Sequence, residues 1–332
     1  MIIRMRNRCY DLKIFSVKRV KTTVISVGNI SVGGSGKTPF VEMLVRMLSR
    51  RGKKVAVISR GYGRSTIGTL VVSDGTTLLE TVQRSGDEAY QVARKFPGVV
   101  VIVDEQRARA AQIVAGKFAV DVIVLDDGFQ HRALHRDLDI VMVHGGTPLS
   151  SMRLLPSGLQ REPLSSLDRA HLLAISFSSD GRVNVTELQK YTSASVIKVR
   201  HKPKELVLLV GNRRMKLLEA RGRNCIACCG IGSPESFRHT VREAGLKVDD
   251  CMVFPDHHKY TASDLRNIEE NASSLHAEII ITTEKDAVRL EPLIKETVSL
   301  MKRFYYLEVE MEIMEDAEIL DRALDSTLKK VA

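Results

Sequence analysis

The stretch VGNISVGGSGKTPF, Val27–Phe40, closes a glycine run with Gly36-Lys37-Thr38. Gly-Lys-Thr at the end of such a turn is the tail of a phosphate-binding loop. Backbone N–H groups face the phosphates, the lysine neutralises the β/γ-phosphates and the threonine hydroxyl ligates Mg²⁺. Gly33, Gly34 and Gly36 let the backbone approach a ligand closely, and Ser35 sits among them. The general pattern G-x-x-x-x-G-K-[ST] has its first glycine five residues before Gly36, where this chain carries Ser31. Gly28 comes too early to replace it. The dimerising ATPases that place a lysine before the double glycine are disfavoured, because that position is Val32. A second element supports a nucleotide site. The apolar run Val120–Leu125 ends in Asp126-Asp127, as does a strand whose carboxylate reaches the Mg²⁺ shell. Thr38, Asp126 and Asp127 are the metal candidates, and the chemistry is that of an Mg-nucleotide triphosphatase or kinase.

These residues need strands and helices to position them. Lys21–Gly28 reads as a strand feeding the glycine loop, and Pro39–Arg51 as the amphipathic helix that follows. Lys54–Ile58, Val99–Val103, Val120–Leu125 and Asp139–Val143 are short apolar strands; Asp87–Lys95 and Arg107–Ala115 are helical. Alternation of this kind predicts βαβ units, hence a mostly parallel sheet with helices on both faces. Farther on, Glu205–Val210 and Arg214–Leu218 flank Gly211-Asn212, a hairpin signal. A second alternating set follows, with strands at Asn224–Cys229, Val248–Phe254 and Glu278–Thr282 and helices from about Pro234 and Ser263. The expected organisation is a basic N-terminal helix over 1–20, a P-loop NTPase-like α/β domain over 21–203, a β-ribbon linker over 204–220 and a smaller α/β domain over 221–332.

With 332 residues the chain exceeds the ~100–200 typical of one domain. A net charge of +10 implies an anionic partner: nucleic acid, anionic lipid or a phosphorylated substrate. No Trp and only 5% aromatics leave few stacking platforms for single-stranded nucleic acid. Cys9, Cys225, Cys228, Cys229 and Cys251 are odd in number and lack a second ligand pair at metal spacing, so they read as small hydrophobes in a reducing compartment. No run approaches the ~18 apolar residues of a membrane span, nor the apolar core of a signal peptide. Residues 1–21 carry seven Lys or Arg against one acid, Asp11. Met5, Cys9, Leu12 and Phe15 fall at roughly helical spacing. Two readings fit: a basic amphipathic helix lying on an anionic membrane, or a surface helix packed on its own domain.

Eight segments occur in a fixed order: VGNISVGGSGKTP (27–39), SRGYGR (59–64), SGDEAY (85–90), LDDGFQHR (125–132), REP (161–163), GIGSPESF (230–237), FPDHHKYT (254–261) and ITTEKDAVRL (281–290). Together they resemble the tetraacyldisaccharide 4′-kinase family, the lipid A kinases, from about residue 6 to 290. That family's own loop reads GN-x-x-x-GG-x-GKTP, which accommodates Ser31. One departure is Gln160 in GLQREP, where the family has GPLREP. The resemblance implies transfer of the ATP γ-phosphate, with Mg²⁺, to the 4′-hydroxyl of a tetraacyldisaccharide 1-phosphate, giving lipid IVA. It implies two α/β/α domains joined by a β ribbon, and peripheral attachment at the cytoplasmic face of the bacterial inner membrane. It implies no nucleic-acid partner, and no protein partner is suggested.

The resemblance also implies roles. Asp87 of SGDE is the base and His257 of DHH its partner, consistent with the need of a sugar hydroxyl for a proton acceptor. Spacing alone would make Asp87 a helix N-cap. Arg107 and Arg161 are candidate bidentate phosphate grips, and Glu162 a substrate-loop residue. His131 fits a stacked or capping role as well as a catalytic one. A different class, a regulatory P-loop ATPase or GTPase that binds protein or nucleic acid, would use a guanine motif [NT]-K-x-D; TEKD (283–286) fits that spacing loosely.

Overall fold

β1 (Thr23–Asn29) is buried along its whole length, as suits an apolar run inside a parallel sheet covered on both faces. In the computed structural model, which describes residues 2–33, 36–146, 148–149, 152–176, 183–297 and 299–329, the chain forms two compact units, Met1–Arg200 with Met311–Ala332, and His201–Glu310. The first unit begins with α1 (Ile2–Asp11), β1 and α2 (Lys37–Arg50). It continues through β2 (Val55–Ser59), β3 (Leu70–Asp74), α3 (Val82–Ser85), α4 (Asp87–Lys95), β4 (Val100–Val103) and α5 (Arg107–Lys117). After β5 (Val122–Asp126), β6 (Leu138–His144) and β7 (Leu172–Ser176) come α6 (Val185–Leu188) and the long β8 (Ser195–Leu208).

The strand order in this unit is β8-β7-β6-β1-β5-β2-β4-β3. Each neighbouring pair in this order is parallel except β3 on β4, which is antiparallel at the edge. Two cores cover the sheet. On one face Phe40 and Leu44 of α2 and Val92 of α4 pack on Ile25, Val57 and Val124. On the other, Ala110, Ala111 and Val114 of α5 pack on Ile58, Ile102 and Ile123. β1 and β5 run side by side with Val27 opposite Asp126. The glycine loop and the Asp-Asp pair therefore leave the sheet together at its C-terminal edge, where open α/β sheets bind ligands.

The second unit holds β9 (Arg214–Lys216), α7 (Leu217–Ala220), β10 (Asn224–Cys229), α8 (Pro234–Glu243), β11 (Lys247–Val253), α9 (Ala262–Ser274), β12 (Ile279–Thr283), α10 (Glu284–Ile294) and β13 (Phe304–Glu315). Its parallel set runs β11-β10-β12-β13. Phe237 and Val241 of α8 cover one face; Ile268 of α9 and Leu290 of α10 cover the other. The hairpin at Gly211-Asn212 forms, with β9 antiparallel to the end of β8 and Asn212 at φ 54.

Two expectations about organisation differ from the structure. The chain passes between units inside β8 and β13, not at a separate linker, so β13 carries it back and α11 (Ala317–Lys329) lies in the first unit. The reason is apolar: Leu320 and Leu324 sit on successive turns of α11 and join the core of Ile25 and Leu44. The N-terminal helix is also shorter than its spacing suggested. It stops at Asp11, and Lys13 turns the chain at φ 57, leaving Leu12 and Phe15 beyond it.

Candidate active site

The glycine loop enters α2 through Gly36, the N-cap, at φ 76 in the left-handed region, and Gly33 stands at φ 109. Both angles suit glycine and little else. Gly34 and Ser35 lie outside the described residues. Lys37 and Thr38 open α2, and the Thr38 hydroxyl donates to Asp126 Oδ2 at 3.4 Å. Asp126 is 5% exposed at the end of β5. Burial, and then the charge of Glu88, push its carboxyl up to about 7, against the pull of Lys37. A buried carboxylate beside a threonine hydroxyl, at the start of a helix with free N–H groups, is the hard-oxygen donor set that suits Mg²⁺. That ion takes one or two carboxylates and completes its shell with phosphates and water. Among the described residues no cluster of three His, Cys, Asp or Glu that could hold a metal ion occurs.

Asp127 is placed differently from its neighbour. It sits at φ 54 and turns the chain back on β1, where Gly128 N–H donates to Val27 O at 3.0 Å. The turn is tight: a Cβ on Gly28 would stand 2.5 Å from Phe129 Cβ, and one on Gly128 would stand 2.7 Å from Ser26 Oγ. Arg161 grips the Asp127 carboxylate with both terminal nitrogens, at 2.8 and 2.7 Å, and also donates to Asn29 Oδ1. Lys37 Nζ lies 3.6 Å away. Burial alone would raise the Asp127 carboxyl, but these cations outweigh it and hold the group well below the usual carboxylate range. Asp126 thus faces the candidate metal position, whereas Asp127 is bound by Arg161.

The segment bearing Arg161 is fastened to the glycine loop. Val32 N–H donates to Leu159 O at 2.7 Å and Arg161 N–H to Ile30 O at 2.6 Å. Gln160 is buried, bridging Ser31 and Leu154 through its backbone. Glu162, a residue of the same loop, is fully buried. Its carboxylate accepts from Asn7 of α1 at 2.7 Å and from Arg169, so it orders the loop from behind.

Arg107 is the first residue of α5 and buried. It donates to Asp127 O at 3.2 Å and to Glu105 O at 3.3 Å, and its Nε has no hydrogen-bond partner among the described residues. Burial pushes its guanidinium down to about 10. His131 is pushed down to about 3, by burial first and then by the charges of Arg107, Arg6, Arg60 and Arg136. It is therefore a neutral imidazole at physiological pH. Asp87 opens α4 and is buried. The N-cap is Gly86, at φ 87, so Asp87 is not the capping residue. A Cβ on Gly86 would meet Tyr62 O at 2.9 Å, which shows how closely the SRGYGR turn supports the start of α4.

His257 belongs to the second unit. It sits at φ 60, donates its N–H to Gly230 O at 3.2 Å, and has Nε2 3.0 Å from Lys285 Nζ. His258 points elsewhere, pairing with Asp264 at 3.1 Å and stacking on Phe254.

A model of the LpxK family, described as tetraacyldisaccharide-1-P 4'-kinase, matches residues 1–329. The chain belongs to this family. It is 38% identical to the tetraacyldisaccharide 4'-kinase of Chlorobaculum parvum, covering 99% of this chain and 92% of that one. It is 37% identical to the enzyme of the same name from Syntrophus aciditrophicus, over 93% and 85%. The crystal structure of the "apo" form LpxK from Aquifex aeolicus in complex with ATP superposes with a TM-score of 0.79 at 32% identity, covering 98% of this chain and 95% of that one. In the first unit the glycine loop, Asp126, Asp127, Arg107 and Arg161 come together. Glu88 escaped the sequence reading, and so did the partner of Lys285, a residue of the TEKD segment. Glu88 raises Asp126 through its charge and was legible only as the neighbour of Asp87 in SGDE. Lys285 touches His257, and nothing local to either motif pairs them.

Proposed function

We propose that this protein transfers the γ-phosphoryl group of ATP to the 4′-hydroxyl of a tetraacyldisaccharide 1-phosphate, forming lipid IVA, at the cytoplasmic face of the bacterial inner membrane. The observation that carries the reading is the Thr38–Asp126 pair beside Lys37, at the C-terminal edge of the sheet, in a chain matched by the 4′-kinase family over residues 1–329. Thr38 and Asp126 would hold Mg²⁺, which would supply positive charge against the negative charge developing in phosphoryl transfer. Gly33 and Gly36 would offer backbone N–H groups to the phosphates, and Lys37 a cation. Arg161 keeps Asp127 ionised and the Asp-Asp turn fixed. Arg107, buried beside that turn, supplies a guanidinium for an anionic oxygen. Asp87 accepts the proton of the attacking hydroxyl, and His257 serves the same proton transfer. Glu88, next to Asp87, adds negative charge near the metal position.

The basic first helix fits an enzyme whose substrate is anchored in a bilayer. Met5, Leu12, Ile14 and Phe15 are exposed, and Arg4, Arg8 and Lys13 are exposed beside them. No helix of the described residues is long and apolar enough to cross a membrane. Attachment by this basic, partly apolar segment to anionic lipid is the mode proposed.

The regulatory-GTPase reading loses ground. Asp286, which would have to meet a guanine base, is fully buried and accepts from Gly230 N–H, Tyr260 and Thr283. Nucleotide turnover measured with added lipid acceptor, protein or nucleic acid separates the classes. Stimulation by tetraacyldisaccharide 1-phosphate alone is expected; stimulation by protein or nucleic acid without lipid would overturn the proposal.

A further inference from the structure

We propose that Lys285 is a positioning residue that fixes the His257 imidazole as the neutral tautomer with its proton on Nδ1. The inference rests on the proposed role of His257 in proton transfer and adds a residue that role needs.

His257 is held in a backbone conformation that side chains with a Cβ rarely adopt, φ 60. Such a conformation persists only where the surroundings impose it, and here the start of α10 does so. His257 N–H donates to Gly230 O. Gly230 is itself gripped on both sides, its N–H donating to Asp286 Oδ2 at 3.1 Å and its carbonyl accepting from Arg289 at 3.2 Å. Arg289 also donates to the carbonyl of His258 at 2.8 Å and pairs with Asp286 at 2.6 Å. A Cβ on Gly230 would come within 3.0 Å of Pro255 O and 3.3 Å of Asp286 Oδ1, so the grip has no slack for a side chain there. The backbone of His257 is therefore built from α10.

The ring is held from the same helix. Lys285 precedes Asp286, and its Nζ lies 3.0 Å from His257 Nε2 and 3.3 Å from Asp256 Oδ1. An ammonium has three donors and no acceptor, so Nε2 must present its lone pair. Which imidazole nitrogen carries the proton is set by the hydrogen bond at the other. Occupying Nε2 places the N–H on Nδ1, which is then the ring's donor nitrogen. Asp256 holds the lysine in place for this contact.

Histidine ¹⁵N spectra of the full-length protein, with the His257 signals assigned by their loss in His257→Ala, read the tautomer directly. Wild type should show protonated Nδ1 and unprotonated Nε2. Lys285→Met and Lys285→Ala should lose that pattern and lower kcat roughly 10- to 100-fold, the scale of a misplaced catalytic group, with KM for ATP little changed. Lys285→Arg, which keeps a cationic donor, should restore most of the rate. Thermal unfolding of each variant checks folding, and the two deletions guard against one failing to fold. A wild-type tautomer and kcat in the folded Lys285 deletions, alongside a slow His257→Ala, would overturn this inference alone. A fully active His257→Ala would instead remove the proposed role of His257.

Discussion

Asp126 is a carboxylate buried where ionisation is unfavourable, and a divalent cation there would reverse the balance. The sign follows from linkage. Its folded-state pKa, about 7, lies above the ordinary 3.8, so the folded protein holds a proton that the unfolded chain has released. That contribution to stability is complete below about pH 4 and is lost as pH rises through 7. Metal binding requires the ionised form and displaces the proton. Mg²⁺ with nucleotide should therefore raise Tm more at pH 8 than at pH 5. Asp126→Asn should lose this excess, together with the part of the pH slope between 4 and 7 that separates it from wild type. Identical Tm curves for the two proteins, with and without Mg²⁺, would remove Asp126 from the metal site. At Asp87, substitution by Asn should lower kcat by ~10²–10⁴, the range for general acid–base help, with ATP affinity little changed; steady-state kinetics with a nucleotide-binding assay checks both. Gly36-Lys37-Thr38 and Asp126-Asp127 were legible because their chemistry is written in adjacent residues. The grip of Arg161 on Asp127 spans 34 positions and has no local signature. The same holds for Lys285 and His257, 28 positions apart.

The sheet of the first unit was readable from its runs. VAVI, VVIV and VIVL are unbroken apolar runs, and VISV is broken only by Ser26, as suits strands of a parallel sheet covered on both faces. β3, β7, the part of β8 before Glu205 and β13 were missed. β3 is an antiparallel edge strand, where one face and one side are free of the pattern that marks a central strand. The first helix was legible as basic and amphipathic but not in what it touches. One side is fastened to the site loops: Asn7 donates to Glu162, Arg6 to Gln130 O, and Arg132 pairs with Asp11. The other side leaves Met5, 61% exposed, with Arg4 and Arg8 nearby. The packed-helix reading holds for the first of these sides, and the proposed membrane contact concerns the second. Arg4, Arg8 and Lys13 replaced together by Gln should release the protein from anionic vesicles and raise KM for lipid in membranes. Each charge contributes about 1 kcal/mol near such a surface. Activity on detergent-dispersed substrate should fall much less. Arg6→Gln should behave oppositely, slowing the detergent assay because it loosens the Gln130 loop. Vesicle flotation paired with detergent kinetics separates the two, and equal effects of both substitutions in both assays would show that the faces are not distinct.

At the scale of the molecule, the charge of +10 and the family reading agree on an anionic partner. Vesicle binding should weaken as salt rises, since a Debye length near 10 Å at ~0.1 M screens surface charge. The two-unit organisation was legible as two alternating sets of strands and helices. The return of 311–332 to the first unit was not, because an amphipathic helix such as α11 announces an apolar stripe without naming the core that receives it. The most direct test of the proposed activity is one incubation of the protein with γ-labelled ATP, Mg²⁺ and purified tetraacyldisaccharide 1-phosphate, followed by mass and positional analysis of the lipid. The predicted result is a lipid heavier by one phosphoryl group, labelled at the 4′-oxygen, and no such product from Lys37→Ala. Label released only as inorganic phosphate, with the lipid unchanged in mass, would contradict it.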